Sequence, residues 1–348
     1  MEYRRLGQSG LKVSELCLGT MTFGHGTDEA TARQMVDLAF EAGINFFDTA
    51  NTYGAGQSEI MTGKALAGRR REVVLATKFF NPTGPGPNES GTSRVHIMHA
   101  AEDSLRRLQT DWIDIYYVHH VDEQTPLEET LRALDDLVHA GKVRYIACSN
   151  HEAWRLMEAL WISDTQRLAR FVCYQPQYSL IVRDIELELI PLFQYKGLGA
   201  VVWGPLAGGF LSGKYQPGQR SLAGTRSEEQ WVFPEQFLDD GADEILETLL
   251  AVADDLARSP SQVALRWVME QPAITSVIVG ARTVEQLSDN LAATGWRLPD
   301  EARARLSEVS QMPERYPQTV AHKMYARRAA ALGHQARLPT APDAAAGG

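Results

Sequence analysis

Cysteine is scarce, with three in 348 residues: Cys17, Cys148 and Cys173. Each sits inside an apolar, strand-like run with neither disulfide nor zinc spacing, so buried free thiols in a reducing compartment are expected. The histidine pairs His96/His99 and His119/His120 have no cysteine or carboxylate pattern around them, and no metal is expected. Basic residues are outnumbered, 34 against 44 acidic ones, for a formal charge of -10 and a pI near 5.4. That balance speaks against nucleic acid or an anionic membrane as the main partner. No stretch approaches the roughly 18 uninterrupted apolar residues of a membrane span. The opening "MEYRRLGQSG" lacks a signal peptide's apolar core, so a cytoplasmic location is expected. No G-x-G-x-x-G follows the first strand-like run, which argues against a Rossmann-type dinucleotide site.

What is present is regular. At 44% hydrophobic and 22% charged, the chain has ample material for a large core. After a segment expected to form a short hairpin ("YRRLGQSGLKVS"), eight apolar runs alternate with amphipathic helical stretches. The runs are "ELCLGTM", "INFFDTA", "VVLATKF", "IDIYYVHH", "YIACSN", "FVCYQP", "GAVVWGP" and "SVIVGA". Continuous apolar strands alternating with helices mean a parallel sheet. Eight even units predict an α/β fold, a (β/α)8 TIM barrel, rather than an open sheet. No linker divides them, so residues 1–335 read as one domain and residues 336–348 as a disordered tail. Loops 79–92 and 208–241 lie outside the repeat and are expected on the functional face.

In such a barrel the strands' C-terminal ends form the site. Those ends carry Thr20, Asp48, Lys78, His119, Ser149 and Asn150, Gln175, Trp203, and Gly280 to Arg282. Singly, each has an ordinary reading as a turn residue, a plain salt bridge or a satisfied core histidine. Eight polar endings in register are harder to dismiss. "LGTMTFG", "NFFDTANTYG", "ATKF", "DIYYVHHVD", "CSN", "YQPQYSL", "GPLAGGFLSGKY" and "VGARTVEQLSDN" occur in this order. Over about residues 3–312 the chain resembles an aldo-keto reductase, in the branch that contains potassium-channel β subunits.

That resemblance implies Asp48, Tyr53, Lys78 and His119 as the catalytic four; His119 carries the match and His120 does not. The chemistry is sound on its own terms. Reducing a carbonyl needs a hydride and a proton on the developing alkoxide. A phenol, with reference pKa near ~10, donates readily only beside a cation. Such a charge about 4 Å away is worth up to ~4 kcal/mol at an effective dielectric of roughly 20.

For the cofactor, NADPH or NADP+, the resemblance implies a site of Gly19, Thr20, Met21, Asp48, Ser149, Asn150, Gln175, Trp203, Gly204, Pro205, Leu206, Gly208 and Lys214. It adds Arg226, Gly280, Ala281, Arg282, Gln286 and Asn290. Ser149, Asn150 and Gln175 would bond the nicotinamide carboxamide, and Trp203, where many relatives have tyrosine, would stack on the ring. Arg282 suits a 2′-phosphate at a helix N-terminus. "GGFLSGKY" fits a phosphate-loop pattern, but Tyr215 replaces the Mg²⁺-binding hydroxyl and "QPGQ" stands where a helix should begin. The expected reaction interconverts a small-molecule carbonyl and an alcohol. The alternative is a cofactor-binding regulatory subunit like the channel β subunits. Residues 313–326, with Tyr316, Met324 and Tyr325, are expected to pack over the pocket mouth. Sugars, aromatic aldehydes, terpenoid or polyketide ketones and secondary alcohols are all compatible substrates, and no oligomeric state is implied.

Overall fold

Two short strands, β1 (Tyr3–Arg5) and β2 (Lys12–Ser14), pair antiparallel and close the bottom of a barrel. Leu6, directly after β1, and Val13 on β2 plug its interior, and Arg4 donates to the carbonyls of Met269 and Ile274 beneath the last strand. The barrel strands are β3 (Leu16–Gly19), β4 (Phe46–Asp48), β5 (Val74–Phe79), β6 (Ile113–Val118), β7 (Val143–Ser149), β8 (Phe171–Gln175), β9 (Gly199–Val202) and β10 (Ile274–Val279). All pair parallel, and β10 returns to β3 to close the ring. This is the expected (β/α)8 TIM barrel. The computed structural model describes residues 1–219 and 240–331.

The helices are α1 (Glu29–Glu41), α2 (Gln57–Ala65), α3 (Arg94–Leu108), α4 (Leu127–His139), α5 (Ala153–Gln166), α6 (Leu189–Lys196), α7 (Asp240–Asp255), α8 (Pro260–Met269), α9 (Val284–Leu291), α10 (Asp300–Val309) and α11 (Gln318–Ala331). Side chains of Asp28, Ser93, Ser259 and Thr283 accept from backbone N–H groups at the starts of α1, α3, α8 and α9. Those groups have no partner inside a helix, which is why Ser, Thr and Asp favour these positions. Among the described residues, no helix is long and apolar enough to cross a membrane.

Strand periodicity explains the two cores. Alternate residues point to opposite faces, so Phe46, Val74, Ala76, Tyr117 and Cys173 fill the barrel while Phe47, Leu75, Phe79 and Tyr116 meet the helices. The same parity turns Asp48, two residues after Phe46, and Lys78, two after Ala76, inward. Each sits at its strand's C-terminal end, and their burial is nearly complete. All three cysteines are buried free thiols.

Candidate active site

Lys78 is the centre of the site. Its ammonium is fully buried and spends its three N–H donors on Asp48 Oδ1, on the Thr49 carbonyl at 2.8 Å and on the Tyr53 hydroxyl at 3.2 Å. Burial works against the lysine's charge, but Asp48 and Tyr53 outweigh it and hold its pKa above the usual value. Burial pushes the Asp48 carboxyl up, against the pull of Lys78 and of the Gln175 amide at 2.8 Å. The pair is therefore a desolvated ion pair with every donor of the cation satisfied.

Across the cleft, the His119 ring meets Tyr53 edge-on, with centroids 6.1 Å apart. Burial first, then the Lys78 charge and His120, pull its pKa down to about 2, so it is a neutral imidazole at pH 7. His120 stacks on it at 4.5 Å and 15°. The Asn150 amide nitrogen holds this dipeptide, donating to the His119 carbonyl at 3.0 Å and facing His120 Nδ1 at 3.4 Å.

These groups lie at a cleft of about 1150 Å³ over the strand ends. Trp203, Gly204, Pro205, Leu206, Gly208, Gly209 and, before α9, Arg282 also line it. Gly208 and Gly209 take φ of 65° and 103°, and a Cβ on Gly209 would meet nothing within 4 Å, so bare backbone faces open space there. The start of α9 is tied reciprocally. Thr283 accepts from the Gln286 amide, and the Gln286 side chain accepts from the Arg282 amide at 2.8 Å.

Of the predicted site residues, Tyr53, Asp48 and His119 line this cleft, with Lys78 directly behind them. So do Gly19, Met21, Ser149, Asn150, Gln175, Trp203, Gly204, Pro205, Leu206, Gly208, Lys214, Gly280, Ala281, Arg282, Gln286 and Asn290. Thr20 does not. Its hydroxyl is fully buried against the Asp48 carbonyl at 3.1 Å and Ser58 at 2.8 Å, because α2 packs over that strand end. Arg226 lies outside the described residues. Asn290 lines the wall but points its amide at the Gly280 carbonyl, at 3.5 Å.

The expected mouth segment is also corrected. No residue of 313–331 lines the cleft; Tyr316, Met324 and Tyr325 are exposed, and α11 buries no residue. Among the described residues, Val320, Met324 and Tyr325 of α11 stay about half exposed. Met324→Ala and Tyr325→Ala should accordingly leave KM within about twofold, the scale of surface substitutions. A larger change in steady-state KM would bring this helix back to the pocket.

Conversely, His25, Thr52, Asn81 and Ser261 line the cleft without having been singled out, and His120, set aside in favour of His119, lines it as well. Asn81 falls in the 79–92 loop, whose composition already marked it. His25 and Ser261 carry no local signal.

The aldo/keto reductase family model matches residues 15–311. The chain belongs to the aldo/keto reductase family. A Bacillus subtilis relative, the uncharacterized oxidoreductase YrpG, is 42% identical over 332 residues, covering 91% of this chain and 99% of its own. Two proteins called probable voltage-gated potassium channel subunit beta, from Arabidopsis thaliana and Oryza sativa subsp. japonica, are each 36% identical. Each alignment covers 84% of this chain and 91% of the relative. Family membership and the oxidoreductase relative make this chain an oxidoreductase of small molecules, of a family that uses nicotinamide cofactors.

Proposed function

We propose that the protein is an NADP(H)-dependent oxidoreductase that interconverts an aldehyde or ketone and its alcohol, as a single catalytic domain over residues 1–335. One observation carries this reading: the buried Lys78 donates to the Tyr53 oxygen and to Asp48 at once. With its oxygen accepting from the lysine, Tyr53 is the proton donor in this reading. A nicotinamide held in the cleft by Ser149, Asn150, Gln175 and Trp203 would supply the hydride that such a reduction needs. Tyr53 gives its proton to the oxygen as negative charge develops there, and Lys78 stabilises the phenolate left behind. Asp48 holds Lys78 in place. The neutral His119 donates a hydrogen bond to the carbonyl oxygen and orients it. Oxidation of the alcohol runs the same steps in reverse. The three buried thiols support a cytoplasmic setting.

The rest of the cleft fits a nicotinamide dinucleotide phosphate. Gln175 gives its amide nitrogen to Asp48, Asn150 gives its own to His119, and Ser149 donates to the Gln175 carbonyl at 2.7 Å. Asn150 and Ser149 then offer acceptor oxygens, and Gln175 offers its amide oxygen and its second N–H, a set matched to the N–H₂ and C=O of a carboxamide. Trp203 offers an indole face, and the glycine backbone leaves room for a pyrophosphate. Arg282 beside the α9 N-terminus suits a 2′-phosphate. Arg282→Ala should weaken NADPH binding by about 1.5–3 kcal/mol, the scale of a hydrogen bond to a charged group, and spare NADH. Fluorescence titration with both dinucleotides checks this; equal losses would take the 2′-phosphate away from Arg282.

The similarity to channel β subunits favours a second reading, a cofactor-binding regulatory subunit. Steady-state turnover on a panel of carbonyls and alcohols with both dinucleotides separates the two. A regulatory subunit would bind the cofactor and turn over none of them.

A further inference from the structure

Tyr53 is not carried by a strand. It begins a short 3-10 turn, Tyr53–Gly56, in which Gly54 and Ala55 take left-handed φ of 55° and 53°, and α2 starts at the next residue. A side chain on such a turn keeps its place only if the chain is anchored on both sides. Upstream the anchor is β4. Downstream it is Ser58 and Glu59, in the first turn of α2, both fully buried.

The Ser58 hydroxyl donates to the Thr20 carbonyl at 2.7 Å and lies 2.8 Å from the hydroxyls of both Thr20 and Thr49. The Thr20 amide and hydroxyl in turn reach the Asp48 carbonyl at 2.9 and 3.1 Å. The Thr49 carbonyl accepts from Lys78. Glu59 places one oxygen on the Thr77 hydroxyl and the other on Arg107 Nε, both at 2.6 Å. Thr77 directly precedes Lys78. Two adjacent residues of α2 thus grip β3, β4 and β5 at the points flanking Asp48 and Lys78, outside the cleft.

We propose that Ser58 and Glu59 are positioning residues that set the separation of the Tyr53 hydroxyl and the Lys78 ammonium. The inference rests on the proton-donor role given to Tyr53 above. The contact they govern is the most sensitive one in the site: at 3.2 Å it is the longest of the three lysine bonds and at the outer limit for N–H···O. A shift of a few tenths of an ångström in α2 breaks it and leaves the bonds to Asp48 and Thr49 intact. Among the described residues, the phenol meets the Lys78 ammonium on β5 and, after β6, the neutral His119 ring backed by His120, while Asp48 on β4 binds the same ammonium. Lys78 brings a positive charge to hydrogen-bond distance of the phenol oxygen, so their separation affects how readily the phenol ionises.

The test compares Ser58→Ala and Thr77→Val, which cut the two arms of the clamp without stranding Arg107, with two controls. Thr77→Ser keeps the hydroxyl. Ser276→Ala removes an equivalent buried serine-to-carbonyl bond, to Ser14 at 2.8 Å, at the barrel's opposite end. Steady-state kinetics, melting temperature and the ionisation of Tyr53 are measured on each, the last by NMR of ring-labelled tyrosine with Tyr53→Phe assigning the signal. Ser58→Ala and Thr77→Val should lower kcat about 10- to 100-fold, the upper figure being that of a ~1 Å misplacement. KM and NADPH affinity should stay within about twofold, on the scale of a ±0.5 kcal/mol change, and the Tyr53 ionisation should move to higher pH. Thr77→Ser and Ser276→Ala should keep kcat and the ionisation, even where Ser276→Ala melts earlier. If Ser58→Ala and Thr77→Val lose only melting temperature, the clamp is structural and the proposal falls. If the unmodified protein turns over no carbonyl, the enzyme reading fails, while the Tyr53 titration, which needs no substrate, still decides on the clamp.

Discussion

Tyr53→Phe is expected to fold, to bind NADPH with unchanged affinity and to turn over at least ~100-fold more slowly, the lower range for a lost general acid. The substitution removes one oxygen and almost no volume. It leaves Lys78 with Asp48 and the Thr49 carbonyl, so the ammonium remains bonded and the ion pair survives. Lys78→Met should be as inactive for a different reason, and less stable as well. It deletes the charge that makes the phenol a donor, and it leaves Asp48 buried with Gln175 as its remaining side-chain partner. Breaking a buried pair by removing one member costs about 3–5 kcal/mol. Urea denaturation therefore separates the two variants, and single-turnover kinetics groups them together. Near-normal turnover by Tyr53→Phe on a good substrate would remove this residue from the chemistry.

The barrel and the strand-end places of Asp48 and Lys78 were legible because an apolar run and its polar ending are local, and strand parity, also local, accounts for both turning inward. Counting by twos from Phe46 and Ala76 reaches them with no knowledge of the neighbours. What surrounds them was not legible, because it depends on contacts between residues far apart in the chain. Thr20 ends its strand like the others, yet Ser58, 38 residues on, takes its hydroxyl away from the cleft. Gln175 was read as a carboxamide contact; that its nitrogen is already committed to Asp48, 127 residues away, is visible only in the closed ring. The segment 313–326 misled in the opposite way. Its tyrosines and methionine suggested a lid, but an apolar side chain reports only that it would be stabilised by burial, and α11 leaves Tyr325 and Met324 about half exposed. Gln286 was read as a cofactor contact beside Asn290; that its side chain accepts from the Arg282 amide at the start of α9 is visible only in the structure.

Acidification should destabilise the fold well before its carboxylates titrate. His96, His119, His120 and His151 all have pKa values lowered chiefly by burial, His119 to about 2. In the unfolded chain each takes a proton near pH ~6.5. Between that value and the lower folded one, the unfolded state binds more protons than the native state, so stability is present above about 6.5 and lost as pH falls. The loss is at most about 1.4 kcal/mol per pH unit for each histidine that stays neutral in the fold. Asp48 acts oppositely, since burial raises its carboxyl and lets the native state take up a proton first, but it is one group against four. Lys78, raised above its ordinary value, is protonated throughout this range and contributes no slope. Paired surface carboxylates such as Asp122, held low by backbone and side-chain donors that outweigh its burial, enter only near pH ~4 and below. The window from about 6.5 to 5 is therefore governed by the imidazoles, with the Asp48 carboxyl opposing them. Unfolding free energy from urea titrations should fall across it, by up to about 2 kcal/mol from His119 alone, and His119→Asn, which has nothing to protonate, should show a shallower slope. A flat profile between pH 7 and 5 would mean that these rings are protonated in the native state, and that His119 is not the neutral donor the proposed reaction requires.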